Sequence, residues 1–231
     1  MSAPASQNPA RLAAARAAVA LVEDGMCLGL GTGRTMALVV QALSARIGSE
    51  GLRVTAVATS EATAAQARAL GIALVDLDTP CDLALDGADQ VERGSLRLIK
   101  GGGGALLREK IVAESARRFV VVADAAKVVD WLGVGFALPV EVVPFGHAAT
   151  VRRLTALGGT PLARRHDGEV VRTDNANLVF DCPGFAPIRD PFTLERRLRA
   201  VAGVVATGLF LMPVECVLIG YDDGTVEVLS R

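Results

Sequence analysis

The sequence predicts an α/β fold in which a parallel sheet is flanked by helices and accompanied by a smaller α+β domain. In the first half of the chain, short β-rich runs alternate with segments of helical apolar spacing, as strand–helix–strand units do. The second half mixes strand and helix patterns less regularly, which favours an α+β arrangement there. With 231 residues, 51% of them hydrophobic, the chain can bury a sizeable core.

Glycines and apolar runs delimit the elements of the first half. A helix ends at Gly25, a turn at 31–33 separates a buried strand from the next helix, and four glycines at 101–104 open a later helix. We predict helices at 9–23, 34–47, 61–70 and 105–116, and strands at 26–30, 53–58, 72–77, 83–86, 96–100 and 119–123.

The second half is divided between two domains in our prediction. Its strand and helix patterns lie at 139–143, 150–157, 170–171, 178–180 and 193–201. We predict a smaller domain at 131–205, with final strands at 206–231 that return to the sheet formed by 1–130.

Composition excludes several classes of protein. The 24 basic and 25 acidic residues give a net charge of -1 without a Lys/Arg stripe, which argues against a nucleic-acid partner. The most membrane-like stretch, 201–220, is interrupted by Pro213 and Glu215, so two short buried strands explain it better than a membrane span. The Ala-rich segment near Arg16 lacks the layout of a signal peptide. We expect a soluble, cytoplasmic protein without a membrane partner.

The cysteines and histidines indicate neither a redox centre nor a metal centre. The four cysteines are scattered, lie in or beside apolar runs and form no C-x-x-C pair, which is typical of buried thiols in a reducing compartment. Two histidines do not suffice for a histidine-based zinc site, so we expect no metal.

A glycine-rich turn at 29–35 follows the first strand. Glycines allow close backbone approach to a ligand, and a helix start presents free N–H groups to an anion. Thr32 and Thr35 add hydroxyl donors, Gly33 adds a small residue at the helix start, and Arg34 adds a positive charge. The glycine spacing differs from the dinucleotide fingerprint and from the P-loop. The turn is either a phosphate cradle or a tight structural turn.

The four glycines at 101–104 point to a place where side chains must be absent. Each glycine costs roughly 0.5–1 kcal/mol of extra backbone entropy, and apolar runs on both sides make a flexible linker a poor explanation.

Four charged residues predict proton-transfer chemistry next to these glycines. Asp86 ends an apolar run and Asp89 follows it; Lys100 ends the next run, and Glu109 lies on the helix that the glycines open. We expect them near the carboxyl edge of the sheet, where open α/β folds bind ligands. A carboxylate can move a proton between neighbouring carbons while an ammonium stabilises the developing oxyanion. One lysine cannot offset three crowded carboxylates, so we expect at least one of them to have a raised pKa.

At these residues the sequence resembles the type A ribose-5-phosphate isomerase family. The matching segments occur in the family's order and cover nearly the whole chain: 29–33, 86–89, 98–111, 138–146, 173–175 with Asn177, 181–182 and 208–210. The stretch from Ile99 to Ile111 is the most specific of them.

The resemblance implies a Rossmann-like main domain with helices on both faces, a smaller α+β domain, a homodimer or homotetramer, and an aldose–ketose isomerase that needs no cofactor. It implies that Glu109 is the base, and that Asp86, Asp89 and Lys100 handle the sugar hydroxyls, ring opening and the enediolate. The residues expected to contact the sugar phosphate are Thr32, Gly33, Arg34, Thr35, Gly87, Ala88, Gly101, Gly102, Gly103 and Lys127.

The chain departs from the family pattern at three places. Arg34 stands where the family usually has Ser, Gln90 replaces an acid, and Ala206 with Thr207 replaces a polar pair. Two rivals compete with the isomerase. A non-catalytic sugar-phosphate sensor disagrees with the intact set of four charged residues. An acyl-CoA transferase-like enzyme would use a carboxylate nucleophile and turn over acyl-CoA instead.

Overall fold

The structure is a computed structural model that describes residues 8–78 and 80–230. Residues 1–7, 79 and 231, which the predicted domain ranges include, lie outside the described residues. The chain forms two compact units. The first consists of residues up to Ala88, Arg108–Lys127 and Pro213 onward, and the second of Asp89–Leu107 and Val128–Met212.

The helices and strands follow the predicted pattern closely. The helices are α1 Pro9–Val19, α2 Arg34–Glu50, α3 Glu61–Ala69, α4 Leu106–Ser115, α5 His147–Ala156 and α6 Pro191–Arg199, with a 3-10 helix at Ala125–Lys127. The strands are β1 Cys27–Leu30, β2 Thr55–Ala58, β3 Ala73–Leu74, β4 Leu83–Gly87, β5 Gln90–Glu92, β6 Leu98–Ile99, β7 Phe119–Asp124, β8 Val128–Val129, β9 Leu138–Val142, β10 Leu162–Ala163, β11 Arg165–His166, β12 Glu169–Val170, β13 Leu178–Cys182, β14 Val204–Thr207, β15 Leu209–Phe210, β16 Cys216–Gly220 and β17 Val226–Leu229.

The first unit contains a seven-stranded sheet in the order β17-β16-β7-β4-β1-β2-β3. All neighbours are parallel except β17, which pairs antiparallel with β16. The strands are mostly buried apolar runs, as expected for a parallel sheet covered on both faces. This confirms the predicted α/β class.

Helices cover both faces of this sheet because successive strand residues point to opposite sides. Leu28 and Leu30 of β1 belong to a core that also contains buried residues of α1 and α2. Between them, Gly29 faces the other side, where a side chain would meet Val112 of α4 at 2.4 Å. Glycine at this position therefore lets α4 pack directly on β1.

The first helix rests on the penultimate strand through a glycine. A Cβ atom added at Gly220 would lie 1.8 Å from the carbonyl oxygen of Ala10, far inside van der Waals contact. The absence of a side chain at Gly220 thus allows the start of α1 to approach β16.

The second unit contains three smaller sheets. Their strand orders are β10-β13-β9-β14, β15-β6-β5-β8 and the hairpin β11-β12. Residues of α5 and α6, such as Leu154 and Leu198, pack with Val140 and Phe180 of the first of these sheets in one apolar core. This is the predicted α+β arrangement.

Two features of this unit differ from the sequence analysis. We predicted that Lys100 follows a strand of the main sheet, but β6 pairs antiparallel with β5 and β15 in a separate sheet, so that prediction is wrong. Residues 89–107 and 206–212 belong to the second unit, where β15 pairs with β6, whereas the predicted division at 130 and 206 groups them with the first. The domain boundaries themselves stay a prediction. Within the described residues, no helix is both long and apolar enough to cross a membrane.

Candidate active site

In the first unit, a glycine turn joins β1 to the exposed start of α2. Gly33 is the N-cap residue of α2 and has a φ of 110°, a conformation that glycine adopts without strain. Within the described residues no side chain caps this helix, whereas Ser60 caps α3. Arg34 and Thr35, which are exposed and half-buried, begin α2. An uncapped helix start is the geometry that binds an anion.

Thr32 belongs to a hydroxyl cluster that the sequence analysis missed. Its Oγ1 lies 2.8 Å from Thr59 Oγ1 and 2.8 Å from Ser60 Oγ. Thr63 Oγ1 donates to the carbonyl oxygen of Gly31 at 2.9 Å, so the cluster ties the start of α3 to the glycine turn. Because β2 neighbours β1, the Thr–Ser pair after β2 was the available sequence signal.

Asp86 lies beside the same turn. It is in β4, is only 3% exposed, and its Oδ1 accepts hydrogen bonds from the backbone N–H of Gly87 at 2.7 Å and of Thr32 at 3.3 Å. Ala88 follows β4 and is half-buried. The structure therefore brings Asp86 and Thr32 together at the carboxyl ends of two adjacent parallel strands, the edge at which open α/β sheets bind ligands.

Gly31 allows Asp86 to approach the turn closely, so we predict that an alanine at this position disturbs the site. A Cβ atom at Gly31 would lie 1.9 Å from Asp86 Oδ1, so Gly31→Ala must displace the carboxylate or the turn. We expect a loss of about 1–3 kcal/mol in the free energy of unfolding, as for other overpacked sites, together with a marked loss of turnover.

Gly48→Ala is the matched control for that variant. Gly48 lies inside α2, and an added Cβ meets nothing within 4 Å, so alanine there should stabilise the helix by roughly 0.5–1 kcal/mol. Denaturant unfolding and steady-state rates measure both effects. Equal stability and turnover of Gly31→Ala and the parent would contradict the close approach.

Glu109 and Lys127 are the other predicted site residues of this unit. Glu109 lies in the first turn of α4 and is only 3% exposed. Lys127 ends the 3-10 helix that follows β7 and is half-buried. The start of α4 thus places Glu109, and the end of the 3-10 helix places Lys127.

In the second unit, the glycine loop lies against Asp89. The N–H of Gly102 donates to Asp89 Oδ2 at 2.7 Å, and a Cβ at Gly102 would lie 2.6 Å from Asp89 Oδ1. Gly101 has a φ of 103° and is buried, while Gly102 and Gly103 are exposed. The predicted need for glycine is therefore explained at Gly101 by backbone conformation and at Gly102 by the neighbouring carboxylate.

Lys100 is a buried ammonium at the start of this loop. It is 2% exposed, its backbone N–H donates to the carbonyl oxygen of Gly208 at 2.9 Å, and its Nζ lies 5.4 Å from the centroid of the Phe210 ring. A cation over an aromatic face is stabilised by the ring quadrupole. The lysine is thus fixed at its backbone and near its charged end.

Two of the departures from the family pattern are satisfied by local hydrogen bonds. Gln90 donates to the carbonyl oxygen of Val134 at 2.6 Å and accepts from the N–H of Gly133 at 2.7 Å. Thr207 donates to the carboxylate of Glu195 and accepts from the N–H of Leu209. Both side chains therefore act in packing of the second unit.

Three of the four cysteines are partly or fully buried thiols with raised pKa values. Burial is the main cause that raises the pKa of Cys81 to about 12 and that of Cys182 to about 12, and it also raises the pKa of Cys216. These thiols stay protonated at neutral pH and are poor nucleophiles. Within 8–78 and 80–230, no group of three or more His, Cys, Asp or Glu side chains could hold a metal ion.

Comparison with known proteins gives a consistent match. The model of the family described as ribose 5-phosphate isomerase A (phosphoriboisomerase A) matches residues 55–224. A relative from Thermomicrobium roseum, named ribose-5-phosphate isomerase A, is 50% identical over 221 residues, which are 94% of this chain and 92% of the relative.

Two solved structures share the fold over the same extent. Ribose 5-phosphate isomerase A from Methanocaldococcus jannaschii has a TM-score of 0.91 at 42% identity, covering 96% of this chain and 98% of that one. A D-ribose-5-phosphate isomerase in complex with phospho-erythronic acid has a TM-score of 0.90 at 33% identity, covering 96% and 97%. The similarity therefore extends over almost the whole chain.

Proposed function

The chain belongs to the ribose-5-phosphate isomerase A family and is an isomerase, and on this premise we propose that it interconverts D-ribose 5-phosphate and D-ribulose 5-phosphate through an enediolate. The reaction would serve the non-oxidative pentose phosphate pathway. The observation that carries the proposal is the burial of Asp86, Lys100 and Glu109, each at most 3% exposed. Burying ionisable groups is costly, and such groups concentrate at functional sites.

The proposed chemistry moves one proton between two carbons. Glu109 takes the proton from C2 of the open-chain aldose; the electrons of the C2–H bond form the C1–C2 double bond, and those of the carbonyl move to O1. Returning the proton to C1, with transfer of the O2 proton to O1, gives the ketose. Proton transfer by a positioned carboxylate contributes roughly 10²–10⁴-fold to the rate.

The other charged residues have separate proposed roles. Lys100 stabilises the negative oxygen of the enediolate, for which its buried position in a low-dielectric surrounding is favourable. Asp86 and Asp89 handle the sugar hydroxyls and ring opening. Gly87, Ala88 and the glycines at 101–103 contact the sugar with their backbone.

The phosphate group is proposed to lie at the start of α2. Its uncapped N–H groups, Gly33, the hydroxyls of Thr32 and Thr35, and the exposed Arg34 suit a dianion. Lys127 is proposed to contact the substrate as well. In keeping with the family resemblance, we also propose a homodimer or homotetramer that works in the cytoplasm without a cofactor.

The test is conversion of ribose 5-phosphate to ribulose 5-phosphate by the purified protein, with and without a chelator. We expect turnover that the chelator leaves unchanged, because the proposed steps use side chains alone. A folded protein that binds the sugar phosphate without turnover would favour the sensor. Exclusive turnover of acyl-CoA would favour the transferase, and a chelator-sensitive rate restored by added metal would overturn the cofactor-free mechanism.

A further inference from the structure

The guanidinium group of Arg164, in the second unit, is held in a fixed orientation. Arg164 lies between β10 and β11, and its side chain is only 15% exposed. Its Nε donates to Asp181 Oδ2 at 3.0 Å and its Nη2 to Asp181 Oδ1 at 2.5 Å. The pairing of β10 with β13 places Leu162 opposite Asp181, so the sheet itself sets this ion pair. A two-bond Arg–carboxylate pair fixes the plane of the guanidinium.

The remaining guanidinium nitrogen of Arg164, Nη1, binds the glycine loop at 101–104. Arg164 Nη1 donates to the carbonyl oxygen of Gly101 at 2.7 Å and to that of Gly102 at 3.1 Å. The carbonyl of Gly101 also accepts the N–H of Gly104 at 3.0 Å. Consecutive glycines have large conformational freedom, so a loop of four requires such external contacts to stay in one conformation.

The contact is transmitted through one peptide group to Asp89. In a trans peptide the C=O and the next N–H point in opposite directions. The carbonyl of Gly101 faces Arg164, and the N–H of the same peptide, on Gly102, donates to Asp89 Oδ2 at 2.7 Å. A cation on the carbonyl side polarises the peptide and strengthens the N–H as a donor. This peptide therefore links Arg164 to Asp89.

We propose that Arg164, anchored by Asp181, is a positioning residue of the isomerase: it sets the conformation of the glycine loop and, through it, the placement of Asp89 and the adjoining Lys100. The proposal rests on the proposed function. Its loss should lower kcat, because a small misplacement of a catalytic group slows the chemistry. KM should rise by a smaller factor, because the glycines at 101–103 are also proposed to contact the sugar.

The kinetic test compares Arg164→Gln with Arg165→Gln. Arg165 is the exposed neighbour and donates to the carbonyl of Gly168 at 2.7 Å, so it matches Arg164 in type and sequence position. We expect Arg164→Gln to lose roughly 10²-fold in kcat, the effect of a misplacement of about 1 Å, and Arg165→Gln to keep the parental rate. Arg164→Lys should stay slow, because a lysine cannot reproduce the planar fork.

Amide hydrogen exchange separates this proposal from the proposed function. In Arg164→Gln the amide of Gly102 should exchange faster than in the parent, while core amides such as that of Leu218 stay protected and show that the protein is folded. If Arg164→Gln does not fold, Asp181→Asn, which keeps the guanidinium but weakens its anchor, takes its place in both assays.

The outcomes are distinct. Parental kcat in Arg164→Gln, full activity in Arg164→Lys, or unchanged exchange of Gly102 would each overturn the positioning role. If the parent itself does not isomerise ribose 5-phosphate, the proposed function fails, and the exchange of Gly102 alone decides: faster exchange supports the control of the loop by Arg164, and unchanged exchange refutes it.

Discussion

Glu109→Gln should fold like the parent and lose about 10²–10⁴-fold in kcat, which corresponds to roughly 3–5 kcal/mol of transition-state stabilisation. Glutamine has nearly the same shape as glutamate but cannot take the C2 proton. Because Glu109 is only 3% exposed in the first turn of α4, the substitution removes a charge without adding volume. Steady-state conversion of ribose 5-phosphate measures the loss, and exchange of the C2 proton with deuterated water should fall in parallel.

Glu114→Gln on the same helix is the control for this prediction. Glu114 is exposed, so its variant should match the parent in rate and stability. Near-parental turnover by folded Glu109→Gln would make the base assignment wrong. Loss of ketose formation with continued C2 exchange would assign Glu109 to a later step than proton abstraction.

Lys100→Met should lower kcat by about 10²–10³-fold in a protein that still folds. Removing one preorganised donor from a developing oxyanion typically costs about 3 kcal/mol in the transition state. Methionine removes the buried ammonium but keeps a long side chain, so a loss of rate without a loss of the fold would assign the charge to function.

Lys110→Met is the matched control, because Lys110 is also buried but has no proposed catalytic role. Its turnover should stay near that of the parent. Rates and urea unfolding of the two variants provide the comparison. Equal losses of turnover in both would indicate that removing any buried lysine disturbs the protein, and a marked destabilisation by Lys100→Met would make its charge structural.

The sequence predicted the parallel sheet well because its elements have strong local signals. β1, α2, β4 and β7 combine apolar runs with glycine turns, and their bounds agree to within a few residues. The strands β5 and β8 have three and two residues, too few for a period to show, whereas β6 was predicted as a strand but assigned to the wrong sheet. The sheet that ends at Lys100 also depends on the pairing of β6 with β15 and of β5 with β8, which are contacts distant in sequence.

The candidate site was predictable where its residues follow a strand and less so where they depend on tertiary contacts. The position of Asp86 at the carboxyl end of a strand was expected from the apolar run before it. Arg164 stands in the polar run Ala-Arg-Arg-His-Asp at 163–167, which locally resembles a solvated surface. Only the pairing of β10 with β13 distinguishes Arg164 from Arg165, so no local pattern could identify Arg164 as a positioning residue.

The contact between Gly220 and Ala10 also has a consequence for biosynthesis. The partner strand of α1 follows it by 210 residues (220 minus 10), which a ribosome adds in about 10–40 s at roughly 5–20 residues per second. All of Asp89–Leu107 and Val128–Met212 emerges during that interval. The contact of α1 with β16 is therefore completed only after the whole second unit has been synthesised, when the residues of that unit are already available to fold.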